Sequence, residues 1–138
     1  MANLTYSNLI ELFLEEFPEF QKKADEEKDY WHGDDQQARV HVFFNYILIP
    51  FLAQEALVKG ENTALLDRIF TFLEKMATSK DDRVRAVLGT AILENLGDDK
   101  RILRRTRKIM LPKTLKISKE IESGFGRAER HVGYRIDE

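Results

Sequence analysis

In this 138-residue chain the side chains able to do chemistry are three histidines, twenty-four carboxylates and one dense run of bases. Their spacing decides what each can do. His32, His41 and His131 lie far apart, and none has the i, i+4 partner that would place two metal ligands on one helix face. His32 with Asp34 and Asp35 is the one local cluster that could hold a cation, and so the one opening for a metal-dependent reaction. The competing assignment is a polar loop in which an aspartate caps the next helix. His41 precedes apolar Val42 and reads as a partly buried core histidine. Ser7, Ser79, Ser118 and Ser123 occur in no Gly-x-Ser-x-Gly or Ser-x-x-Lys setting, so none has a nucleophile's surroundings. Gly124-Phe125-Gly126 lacks the third glycine and the flanking strand and helix of a phosphate cradle. With no cysteine there is no disulfide framework, Cys-ligated metal or thiol redox chemistry. The expectation is therefore a protein without catalytic activity, cofactor or metal.

What remains is binding, and here charge and aromatics carry the signal. Net charge is only -2, but the signs separate along the chain. Residues 1–36 hold ten acids against three lysines, a net of -7, and residues 100–130 hold eleven bases against three glutamates, a net of +8. Clustered charge of this kind steers association more than it adds affinity. The alternative is that the two segments attract each other. Tyr30-Trp31 adjoins a glycine loop flanked by acids, and Trp31 is the sole tryptophan. Large aromatics in that position are binding hot spots or lids on a core, and the sequence leaves both open. Glu26, Glu27, Tyr30, Trp31, Asp34 and Asp35 are the candidate docking residues.

The basic run is the second candidate surface. Arg101, Arg104, Arg105, Arg107 and Lys108, with Lys100, would line most of one helix outside its apolar stripe, and such a stripe can bind nucleic-acid phosphates. A pI near 6.0 and the absence of a nearby aromatic stacking platform weigh against nucleic acid.

The elements that must position these residues read as helices throughout. Thr5 caps a first helix carrying Leu9, Ile10, Leu12, Phe13, Leu14 and Phe17. Pro18 bends the chain and starts a second helix that runs to about Tyr30. Asp34 or Asp35 caps a third, with Val40, Phe43, Phe44, Ile47, Leu48, Phe51 and Leu52 at spacings of three and four. Residues 40–44 alone could pass for a strand, but the pattern continues past Pro50, which should kink or split the helix. Lys59 and Gly60 end it. Asn62 or Thr63 and then Asp81-Asp82 cap two helices of about four turns that form an αα-hairpin ending at Gly97. Asp98-Asp99 and Pro112 open the last two. This gives about seven helices in a single domain over residues 1–123, packed as antiparallel hairpins in a short solenoid or irregular bundle, with 124–138 as a flexible or peripherally docked tail. The apolar share of 43% suffices for one core, and a domain of this size removes roughly two-thirds of its unfolded surface from water. Val40 to Ala53, broken by His41, Asn45 and Pro50, falls short of the ~20 apolar residues of a membrane span and reads as core. No basic, apolar leader opens the chain, so a cytoplasmic location is expected.

The succession Glu16-Phe17-Pro18-Glu19, Tyr30-Trp31, His41-Val42-Phe43-Phe44 with Pro50-Phe51-Leu52, Ile69-Phe70-x-Phe72-Leu73-Glu74-x-Met76 and Ile92-Leu93-Glu94-x-Leu96-Gly97-Asp98 resembles a family of small, uncharacterised bacterial helical proteins with HEAT-like or armadillo-like packing. Some of those resemble immunity proteins of polymorphic toxin systems. The resemblance spans about residues 4–122 and implies a fold and a class of partner, without assigned catalytic residues. An acidic N-terminal face would then block a basic toxin domain, its carboxylates standing in for phosphate.

Overall fold

The computed structural model describes residues 3–33, 35–57 and 63–125, and these form eight helices and no strand. Helix α1 is Leu9–Glu16. It starts later than the sequence predicts, because Asn8 Oδ1 accepts from the Thr5 backbone N–H at 2.8 Å and closes residues 5–8 into a turn ahead of the helix. Phe17, held out of helical dihedrals by the following proline, leads into a 3₁₀ turn, Pro18–Phe20, that continues as Gln21–Glu26. Together these make α2, numbered 18–26. The expected single second helix breaks at Glu27, and α3 is the separate turn Lys28–Trp31.

Helix α4 covers residues 36–57 without a break, so of the kink or split expected at Pro50 the split does not occur. Its middle, Phe44–Leu48, is a π-helical segment closed by the Ile49 N–H on the Phe44 carbonyl. Pro50 lacks an N–H, and its ring would crowd the carbonyl of Tyr46 in a regular helix; the widened turn just before it makes room. The apolar helix is also longer than the sequence suggests. Ala38–Leu57 has 20 residues and a mean hydropathy of 1.3, enough by length and composition to cross a membrane. Its stripe of Val40, Phe43, Phe44, Ile47, Leu48 and Leu52 lies instead in the protein core.

Helix α5, Thr63–Ala77, and helix α6, residues 82–97, make the expected hairpin, with Asp81 as the cap between them. The Asp81 carboxylate accepts from the N–H groups of Arg83 at 2.9 Å and Tyr6 at 2.8 Å, which ties the N-terminal segment to the hairpin turn. Helix α6 has its own π segment, Leu88–Leu93, packed against that of α4. Polar rungs link the two helices there: His41 Nε2 lies 2.8 Å from Thr90 Oγ1, and Asn95 Nδ2 donates to Asn45 Oδ1 at 2.7 Å. Helix α7, Lys100–Arg107, is capped by Asp99, and α8, Pro112–Phe125, includes Gly124 and Phe125, the first two residues of the expected tail. Residues 58–62, including Lys59, Gly60 and Asn62, and the rest of the tail lie outside the described residues.

At the centre of the core, Phe13 meets the rings of Phe17, Phe20, Phe43, Phe44 and Phe72 at centroid separations of 4.9 to 5.9 Å. Four helices, α1, α2, α4 and α5, thus lock on one residue. Arg68 adds a polar bolt from α5. Its guanidinium donates to the Glu16 carbonyl and to the Glu19 carboxylate and stacks over Phe17, so it closes the end of α1 against α2.

Candidate functional site

Helix α3 is one turn long, yet its two aromatic residues go to opposite fates. Trp31 turns inward: it is 7% exposed, its ring meets Phe43 edge-on at 4.9 Å, and its indole N–H donates to the Ala24 carbonyl at 2.8 Å. Of the two readings open in the sequence, it is the lid on the core. Tyr30 turns outward and is 64% exposed. It does not stand alone, because Tyr46 from the π segment of α4, itself 44% exposed, stacks on it with centroids 5.5 Å apart and planes 18° from parallel. Sequence reasoning missed Tyr46. The available signal was its position off the apolar stripe: Phe43, Phe44, Ile47 and Leu48 face the core, which leaves Asn45 and Tyr46 on the outer side.

The acids around this pair differ in what they are already doing. Glu26 and Asp29 are exposed on α2 and α3. Glu27 is half-buried and sits 3.5 Å from Lys23 one turn earlier. Asp35 caps α4, its carboxylate accepting from the Ala38 N–H at 3.4 Å, and Asp34 lies outside the described residues. Among the described residues no three His, Asp or Glu side chains converge as metal ligands would.

On the inner side of α3, a cleft of about 330 Å³ opens between α1, α2, α3 and the start of α4. Trp31 and Val40 form its apolar floor. Glu11 and Asp25 stand on the α1 and α2 walls, and Lys28, His32 and Arg39 on the α3 and α4 side.

The basic helix is not a continuous exposed stripe. Arg107, expected on that surface, is 5% exposed, and its Nε donates to Ser118 Oγ at 3.1 Å. It belongs to a buried polar seam between α7 and α8 that also holds Thr106, Thr114 and Glu122. Arg105 donates to the Ala56 carbonyl, and Arg101 pairs with the Asp99 carboxylate at 3.0 Å. Arg104 is half-buried and Lys108 exposed. Nor does α7 lie beside the acidic helices as its main packing: it rests on the second half of α4 and the end of α6, whereas α3 packs on the first half of α4. The seam is closed from α5, where the Glu74 carboxylate accepts from the N–H groups of Lys113 and Thr114 and from the Thr114 hydroxyl, each at 2.9 Å. Partial burial pushes the Glu74 carboxyl up, but those hydrogen bonds and the charge of Lys113 outweigh it and hold the group below the ordinary carboxylate range.

The sequence model of one family, a domain of unknown function (DUF7674), matches residues 10–125, from within α1 to the end of α8, and the chain belongs to that family. No curated protein matches the chain, and no solved structure does.

Proposed function

We propose that this member of the DUF7674 family is a non-catalytic protein-binding module that docks a basic protein partner through the face made by α2, α3 and the π segment of α4. Its role would be that of an immunity-type or adaptor protein in the bacterial cytoplasm, with the α5–α6 hairpin as the HEAT-like element of the scaffold. The observation that carries this reading is the exposed Tyr30–Tyr46 stack. Tyrosine gives a large amphipathic contact area at the cost of few rotors, and stacking restrains the two rings before a partner arrives. Glu26 and Asp29, on the same two short helices, lie in the segment of net charge -7 and favour a partner of positive charge.

The docking residues reduce accordingly to Glu26, Asp29, Tyr30 and Tyr46. Trp31 supports the face from beneath, and Asp35 holds the start of α4. Nucleic-acid binding by Arg101, Arg104, Arg105, Arg107 and Lys108 gains no support, because several of these side chains are already committed to protein groups. The test uses the product of the adjoining gene as the partner. Reversing charge with Glu26→Lys and Asp29→Lys is expected to weaken its binding at low salt by at least tenfold; unchanged affinity would remove this surface from consideration.

A further inference from the structure

We infer that the cleft over Trp31 is a binding site for a small zwitterion, a free amino acid or a molecule like it, with an ammonium, a carboxylate and an apolar body. This goes beyond the docking face, which lies on the other side of α3. A volume of about 330 Å³ is at the small end of the range of ligand pockets, roughly 300–1,000 Å³. The floor is ready for an apolar group: the indole N–H of Trp31 is already satisfied by Ala24, so covering the ring strands no donor.

The walls select the rest of the ligand. Glu11 and Asp25 come from α1 and α2, while Lys28 and Arg39 come from α3 and α4. Among the described residues neither Glu11 nor Lys28 has an ion-pair partner. Asp25 accepts one hydrogen bond, from Gln21 Nε2 at 3.1 Å. Arg39 is oriented by the Gly33 carbonyl, to which its Nε and Nη2 donate at 3.2 and 2.6 Å, and this leaves further N–H donors on its planar fork. A simple anion would meet the two carboxylates and a simple cation the two bases. A molecule bearing both charges can satisfy both walls.

Trp31 is the sole tryptophan and reports on the cleft directly. The full chain is titrated with L-leucine, L-methionine and L-glutamine, with L-leucinamide and N-acetyl-L-leucine as probes carrying only one of the two charges. Binding is read by Trp31 emission and by the NMR shift of its indole N–H. At least one free amino acid should give a saturable change, and the singly charged analogues should bind at least tenfold more weakly. Glu11→Gln and Lys28→Met, both exposed positions, should each weaken the response at least tenfold, whereas Tyr30→Ala should leave it intact. No saturable response to any of the three amino acids, or equal binding of the capped analogues, overturns the assignment.

Discussion

Glu74 shows how one carboxylate can hold two elements together. It stands on α5 and takes the free N–H groups at the start of α8, where a negative charge also meets the positive end of the helix dipole. Glu74→Ala should cost about 2 kcal/mol in denaturant unfolding, the scale of hydrogen bonds to a charged group. The pH dependence has a definite sign. Because the folded carboxyl titrates below its ordinary range, the stabilisation is present at neutral pH and fades as pH falls through that range toward the folded value. The gap in stability between the wild type and Glu74→Gln should therefore narrow on acidification; a gap that widened would contradict the arrangement. Nothing in the sequence marked this role, since Glu74 and Thr114 are forty positions apart and look like ordinary helix-surface residues. Tyr30 stood out in the sequence by its setting, and its stacking on Tyr46 did not, because that ring comes from another helix.

At the scale of elements, the apolar spacing located every helix except the separate turn α3, and caps such as Asp81 and Asp99 act as expected at their starts. The two π segments were not legible. A π turn uses the same apolar residues as an α turn, and the choice between them rests on Pro50 and on how α4 and α6 pack across one another. Gly89 lies in the second of these segments and is buried, yet an added Cβ would make only ordinary contact, 3.4 Å from Ile121 Cδ1 on α8. Gly89→Ala should therefore raise stability by about 0.5–1 kcal/mol through lower backbone entropy in the unfolded chain. A lower unfolding midpoint would mean that the segment needs glycine for another reason. Phe13→Ala, by contrast, removes the ring on which four helices converge and should cost about 3–5 kcal/mol.

Across the whole molecule, the separation of charge read from the sequence has a structural counterpart that the sequence did not predict. The acidic segment forms short helices with little interior of their own, held on α4 and α5 by Trp31, Phe13 and Arg68. In the basic segment Arg105 and Arg107 are anchored internally, on α4 and in the seam with α8, while Lys100, Arg101, Lys108, Lys113, Lys116 and Lys119 are exposed. The acidic side is distinguished by exposed aromatic area next to its charge, in the Tyr30–Tyr46 stack, and the proposed docking face lies there. Association with a basic partner should slow as salt rises from about 0.05 to 0.5 M while dissociation changes little, because screening acts mainly on the encounter. The most direct test of the docking face is calorimetric titration of that partner into the wild type and into a Tyr30→Ala, Tyr46→Ala double variant. Stability of the double variant should fall by no more than about 1.5 kcal/mol, the scale of one aromatic pair. Its affinity should fall at least thirtyfold, the loss of about 2 kcal/mol that marks a hot spot; a folded double variant that binds as tightly as the wild type would contradict the account.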